Sequence, residues 1–229
     1  MINDLIFPYN CIGCGTELKR GFLCSKCHGT LFEYVNIICP VCSKRLVEGK
    51  ICQNCNVKLY LKRFVVAMPY HHPIGKTAIH NLKYLFVKDL AQPLGATLAH
   101  ALHYTIPDYV KYNLLAVPIP LSNERLRSRG FNQSFLIAQT VSRLLGVELA
   151  EDEILQRRRS TTPQLGLSRK LREENVRGAF AIDDAEKIQN RNILLIDDVA
   201  TTCSTLKECA IILKQNGARS VWAAVVAKE

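Results

Sequence analysis

Eight of the ten cysteines fall in the first quarter of the chain, and their spacing restricts what that quarter can be. They form four Cys-x-x-Cys knuckles: Cys11/Cys14, Cys24/Cys27, Cys39/Cys42 and Cys52/Cys55. The last two knuckles repeat the first two at a constant offset of 28 residues, so one unit, knuckle–loop–knuckle, is present twice. Two converging knuckles supply four thiolates in a tetrahedron, the closed donor set of structural zinc. The simplest expectation is two Zn2+ ions, one per unit; pairing of knuckles across the two units is the alternative that spacing leaves open. Redox knuckles of the thioredoxin kind open a helix beside a βαβ pattern, and that context is missing here. A segment this short buries too little apolar surface to fold unaided, so metal must supply much of its folding free energy.

Across residues 1–63, nine Lys/Arg stand against four Asp/Glu, with Phe22, Phe32, Tyr34 and Tyr60 interleaved. Cations beside aromatic rings suit a single-stranded nucleic-acid platform. The preferred reading is plainer: the rings fill the small core around the metals.

After Arg63 the cysteines thin out and the periodicity changes. Residues 64–70 read as a strand. Residues 74–86 and 89–104 have helical spacing with a break near Val87. Residues 113–120 form a short strand closed by prolines, and 132–146 an amphipathic helix stopped at Gly146. Residues 192–197 read as a buried strand, 204–218 as a helix and 220–227 as a last strand. Alternation of this kind predicts an α/β fold, a mainly parallel sheet with helices on both faces. The division expected is 1–62 for the Cys-rich module and 63–229 for the α/β domain. Residues 147–191 read as an excursion of short hairpin and helix. It is basic through Arg157, Arg158, Arg159, Arg169, Lys170, Arg172 and Arg177, with the acidic run Glu151–Glu153 beside it. Such a surface either follows a nucleic-acid backbone or pairs with its own acids.

The stretch from Asn192 to Thr205, NILLIDDVATTCST, carries the chemistry. In open α/β sheets, ligands lie at the carboxyl ends of strands. Asp197 and Asp198 are expected at such an end. The following turn opens a helix whose first N–H groups attract a phosphate. Carboxylates accept hydrogen bonds from a diol, and Thr201, Thr202, Ser204 and Thr205 donate to phosphate. A sugar phosphate satisfies both halves; helix capping by Asp198 or Thr202 is the structural alternative. Ahead of this lies a second stretch, VPIPLSNERLRSRGFNQS, residues 117–134. Its turn after Val117 and its cations Arg125, Arg127 and Arg129 suit an anionic leaving group, with Gly130 as a hinge. His71 and His72 read as a surface loop, Cys209 as core, and Lys83 as a solvated helix residue.

The Asn192–Thr205 stretch resembles the phosphoribosyl diphosphate (PRPP) signature of type I phosphoribosyltransferases. By that resemblance, Asp197 and Asp198 hold the ribose 2′- and 3′-hydroxyls, and the segment Ala200, Thr201, Thr202, Cys203, Ser204 and Thr205 receives the 5′-phosphate. The turn at Pro118 and Ile119 cradles diphosphate, Arg125, Arg127 and Arg129 assist catalysis, and Mg2+ accompanies PRPP. Cys203 stands where glycine is usual, and its Cβ disfavours a positive φ. Ala200 is smaller than the usual residue. The run Arg127, Arg129, Gly130, Phe131, Asn132, Gln133, a second pattern through Gln164, Arg172, Asn175, Ala179 and Phe180, and four knuckles ahead of the sheet together resemble the ComF family of competence-associated proteins. That resemblance spans essentially the whole chain. It implies a double zinc ribbon joined to a type I phosphoribosyltransferase-like domain, single-stranded DNA as a partner during natural transformation, and a competence helicase nearby. Transfer of phosphoribosyl from PRPP to a small nucleophile is the enzymatic alternative, and a degenerate binding module the third.

The net charge of +10 favours polyanionic partners. MINDLIFPYN lacks a basic n-region, its apolar run is broken, and no apolar run reaches membrane-spanning length. The expected location is therefore the cytoplasm, with peripheral contact at the inner membrane surface.

Overall fold

In a computed structural model, residues 9–35, 38–150, 154–159 and 169–229 are described, with Arg169, Lys170, Arg172 and Glu173 as backbone alone. Gln164 and the acidic run Glu151–Glu153 lie outside the described residues.

The first cysteine unit holds a two-rung ribbon, β1 (Tyr9–Asn10) against β2 (Glu17–Leu18), and a short helix α1 (Ser25–Thr30). The second ends in helix α2 (Gln53–Leu59). Then follow β3 (Arg63–Pro69), α3 (Pro73–Tyr84), α4 (Ala91–Thr105), β4 (Leu114–Pro118), α5 (Asn123–Arg129) and α6 (Gln133–Leu145). The chain continues through β5 (Glu148–Leu149), β6 (Leu155–Arg157), α7 (Arg169–Val176) and β7 (Phe180–Ile182). It closes with β8 (Asn192–Ala200), α8 (Ser204–Gln215) and β9 (Ser220–Lys228).

Strands β3, β9, β8, β4 and β5 form one sheet in that order, and every pairing in it is parallel. The excursion is correct in outline, since β6 and β7 make a separate antiparallel pair with α7 between them. It differs in one respect: β5, at the start of that segment, joins the main sheet as an edge strand. Strand β9 is buried along Ser220–Ala227, as a strand covered on both faces must be. Alternate residues of β8 serve two cores: Ile193 and Leu195 pack with Leu206, Cys209 and Leu213 of α8, while Leu194 and Ile196 pack with α4 and α6. Cys209 is core, as expected. Close approach of α4 to α6 requires Gly95, because a Cβ there would lie 2.6 Å from Thr140 Cβ.

The two cysteine units straddle the sheet at its β3 edge. Leu31 of the first unit is fully buried in the α4/α6 core, and His28 Nε2 lies 3.0 Å from the Pro93 carbonyl. Leu46, Ile51 and Leu59 of the second unit enter the α8 core. The second unit also covers the start of the edge strand: Phe64 N donates to Gly49 O at 2.9 Å, and Ile51 N to Lys62 O at 3.1 Å. An exposed strand edge is a template for unwanted pairing, so this cover has a physical purpose. Arg63 fastens the joint. It is 2% exposed, packs against the rings of both Tyr112 and Trp222, which also touch each other edge-on, and donates to Tyr112 Oη and the Glu48 carbonyl.

The aromatic residues of the ribbons divide. Phe32 packs on His100 and Tyr34 on His72, so these rings join the ribbon to α4 and α3. Phe22 packs edge-on against Tyr9, and Tyr60 is half exposed. His72, expected in a surface loop, is buried and caps α3, its Nδ1 accepting from Gly75 N at 3.1 Å. Proline at the first helical position leaves that cap as the satisfier of an orphan N–H.

Candidate functional site

Within each cysteine unit the four sulfurs converge to within 4.8 Å of one another: Cys11, Cys14, Cys24 and Cys27 in one, Cys39, Cys42, Cys52 and Cys55 in the other. Crossed pairing between units is thereby excluded. Cys14 Sγ lies 3.8 Å from Cys24 Sγ, and Cys42 Sγ 3.5 Å from Cys52 Sγ. Tetrahedral zinc–sulfur bonds of about 2.3 Å place sulfurs about 3.8 Å apart, so both sets fit structural zinc. Backbone amides assist: Cys24 N donates to Cys11 Sγ and Cys27 N to Cys24 Sγ, each at 3.4 Å. The Lys44 amide helps bring Cys42 down to about 7. Burial and the neighbouring thiols push Cys27 up to about 12, and the neighbouring thiols and burial do the same to Cys55. Four crowded thiols cannot all ionise without a cation, and a divalent metal supplies it.

The second site lies where the connections diverge. Strand β4 passes through α6 to β5 on one side, and β8 through α8 to β9 on the other. Helices α6 and α8 pack on opposite faces. This is a topological switch point, the place where open α/β sheets take ligands in a crevice at the carboxyl ends of the strands. Pairing of β4 with β8 stops at Pro118 and Ile196, so Asp197 and Asp198 stand just past the last rung. Strand β8 itself runs on to Ala200, three residues further than the sequence reading placed its end, because β9 continues beside it to Lys228.

The two carboxylates take different partners. Asp197 Oδ1 accepts from Ser134 Oγ at 2.8 Å and from Asp198 N at 2.9 Å. Burial, then the neighbouring Asp198 charge, push the Asp197 carboxyl up to about 7. Asp198 is 3% exposed; its Oδ1 lies 2.8 Å from Lys83 Nζ, and its Oδ2 is buried with no hydrogen-bond partner. An acceptor left unpaired in the interior costs about 1–3 kcal/mol, a cost that a donating ligand would remove. Lys83 is therefore not the solvated residue the sequence suggested: α3 delivers it to the crevice.

After β8 the turn enters α8 at Ser204. Thr202 and Ser204 hydroxyls are 2.6 Å apart, and Ser204 N donates to Thr202 Oγ1 at 3.4 Å. Thr201 and Thr205 are half-buried, and Ala200 is buried. Cys203 adopts φ +61° and is buried against the α8 core, so the chain takes the left-handed turn despite the Cβ. A β-carbon there costs on the order of 1–2 kcal/mol.

The segment before α6 departs further from expectation. Arg125, Arg127 and Arg129 lie on a helix, α5, capped by the Ser122 hydroxyl, and Gly130, expected as a hinge, is its left-handed stop at φ +75°. Arg129 is half-buried and donates to Gln133 Oε1. Burial lowers its guanidinium, and the nearby Asp198 opposes the shift. Arg127 is exposed and turns back to the Asn123 carbonyl at 3.3 Å. Arg125 faces the excursion: burial first, then the like charge of Arg125, lower Arg157 on β6. Ile119, expected to offer its backbone to diphosphate, spends its N–H on Ile196 O at 2.9 Å and its carbonyl on Asn132 Nδ2 at 3.0 Å. Pro118 and Pro120 have no N–H, so Leu121 and Ser122 carry the next amides along that turn.

A cavity of about 360 Å³ opens between α5 and β6, walled by Leu121, Asn123 and Leu126 on one side and Gln156, Arg157 and Arg158 on the other. Ser134 closes the 117–134 stretch, and nothing in its local sequence marks it as the partner of Asp197. Nothing local marks Lys83, a lone lysine on an amphipathic helix, as a site residue.

Comparison with known proteins agrees with both halves of this arrangement. Residues 2–56 match the double zinc ribbon domain, and residues 132–229 match the phosphoribosyl transferase domain. The DNA utilization protein YhgH of Escherichia coli K12 is 32% identical over 228 residues, 95% of this chain and 96% of that protein. Competence protein F of Haemophilus influenzae is 28% identical over 221 residues, 87% and 94% of the two chains. Competence protein ComFC of Bacillus subtilis is 26% identical over 203 residues, 85% and 79%. Likeness on this scale, running through ribbons and sheet alike, makes the chain a member of the ComF family.

Proposed function

We propose that this protein binds PRPP at the β4/β8 switch point and handles single-stranded DNA during natural transformation. Its ribbon module is residues 1–62 and its PRPP-binding domain residues 63–229. The observation that carries the reading is the Asp197–Asp198 pair at the crevice, with a buried, unpartnered Oδ2 on Asp198 beside a hydroxyl-lined helix start. A ribose diol would donate to the two carboxylates, and Thr201, Thr202, Ser204 and Thr205 would receive the 5′-phosphate with the first amides of α8. Arg129 of α5 lies within reach of the Asp198 charge, and Lys83 exchanges Asp198 for a phosphate oxygen when ligand enters. Mg2+ would supply charge neutralisation for the diphosphate. The relatives' names, DNA utilization and competence, support the DNA role, as does the charge of +10. Among the described residues no helix is long and apolar enough to cross a membrane, in keeping with a cytoplasmic protein that meets a competence helicase at the inner membrane surface.

Calorimetry tests the site. Wild type should bind PRPP with Mg2+, and the paired variant Asp197→Ala/Asp198→Ala should not; absence of wild-type binding leaves a degenerate module.

The cavity beside α5 favours a second reading, in which a small nucleophile sits there and takes phosphoribosyl from PRPP. The bond from C1 to diphosphate would break as the bond to the nucleophile forms, with catalysis through positioning and charge stabilisation. Diphosphate release in the presence of bases and amines is the measurement, and no turnover with any of them would leave binding alone.

A further inference from the structure

Helix α3 ends in an exposed apolar tip. Tyr84 is 61% exposed, Leu85 61% and Phe86 49%, and among the described residues no other run of three large hydrophobics is exposed together. Phe86 sits at φ +57°, a conformation an aromatic residue rarely adopts. The tip directly follows Lys83, whose ammonium touches Asp198, so it borders the crevice.

The surroundings are cationic. Arg129 lies close enough to Tyr84 and Asp198 for both to act on its charge, which brings the end of α5 up to the tip. Lys88 Nζ lies 5.2 Å from the ring centre of Phe131, the residue that follows the α5 stop. Residues 83–89 and 123–131 carry five cations, Lys83, Lys88, Arg125, Arg127 and Arg129, against two acids, Asp89 and Glu124, with Lys83 paired to Asp198 and Arg125 turned to the excursion. An apolar patch that served a second protein chain alone would not need this collar. Rings for bases and cations for phosphates are the two components of single-strand recognition, and both meet here.

We propose that Tyr84 and Phe86 form a base-stacking platform for single-stranded DNA, with Lys88 and the α5 arginines following its backbone toward the crevice. The inference rests on the DNA-handling reading above, and it moves the contact from the ribbon aromatics, which the fold mostly uses for packing, to the rim of the sheet.

The test uses the zinc-loaded full chain and a labelled oligothymidylate, free and as a duplex with oligoadenylate, titrated by fluorescence anisotropy at several salt concentrations. Tyr84→Ala/Phe86→Ala should weaken single-strand binding by about tenfold or more, with an unchanged salt slope and melting temperature. Tyr60→Ala, a half-exposed ring on the ribbon, should bind as wild type does. Phe86→Trp should show indole quenching on the strand, against the constant signal of buried Trp222. Native affinity in the double variant, or an equal loss with Tyr60→Ala, overturns the platform while leaving DNA handling intact. Self-association that vanishes in the double variant with DNA affinity unchanged gives the patch to a second copy instead. Failure of the wild type to bind either DNA at low salt removes the platform and the DNA half of the proposed function together.

Discussion

Replacing Asp197 by asparagine should make the protein more stable, and the gain should grow with pH. The carboxyl is moved from its ordinary value of 3.8 up to about 7. A folded-state pKa raised in this way means that the folded chain holds the proton more tightly than the unfolded chain. The group imposes no penalty below pH 3.8, costs stability progressively as pH rises between those two values, and costs a constant amount above 7. Worked from those two values, the penalty is about 2 kcal/mol at pH 5.5 and about 4 kcal/mol at pH 8. Both are ceilings, because a crevice that admits water on ionisation relieves part of the cost. Asparagine keeps the Oδ1 acceptor used by Ser134 and the Asp198 amide and cannot ionise, so it removes the penalty. The assay is urea denaturation of wild type and Asp197→Asn at pH 5.5, 7 and 8; the zinc sites titrate in both proteins and cancel in the difference. The expected result is a stability difference that widens by about 2 kcal/mol across the range, together with loss of PRPP binding. A pH-independent difference, or a less stable variant at pH 8, would refute the assignment of a strained carboxylate to this position.

Lys83→Met should lower stability by about 3 kcal/mol, since it strands a buried carboxylate, and Lys83→Arg should restore part of it; denaturation at pH 8 reads both. Gly95→Val should cost about 1–3 kcal/mol by forcing α4 away from Thr140 and Ile137, read as a fall in melting temperature with zinc content unchanged. Chelation should release two zinc ions per chain, and Cys42→Ser, which breaks the second site, should speed hydrogen exchange at the Phe64 amide and promote association. Slow exchange at Phe64 in that variant would show that the ribbon does not guard the β3 edge.

One residue of the turn into α8 stands where the PRPP signature usually has glycine. Cys203 accepts the left-handed backbone that the sequence argument held against it, because the same backbone turn buries its side chain among α8 residues. Apolar burial of a thiol offsets part of the conformational cost. The objection concerned local geometry, and tertiary packing answers it.

The sequence alone determined the metal units and the alternation of strands and helices. A 28-residue repeat of knuckles and a change of hydrophobic period are local patterns, and short-range chemistry reads them directly. It also marked Asp197, Asp198 and the hydroxyl turn, since strand, acids and helix start are contiguous in the chain. It left the partners of those acids undetermined. Lys83 and Ser134 reach the crevice from helices 115 and 63 residues away in sequence, and Arg129 arrives on a short helix that the hydrophobic period does not mark. The packing of two ribbons on opposite faces of one edge strand was equally out of reach, because contacts across the sheet depend on which helix takes which face. That choice is made by burial of the whole core, and no short window of residues contains it.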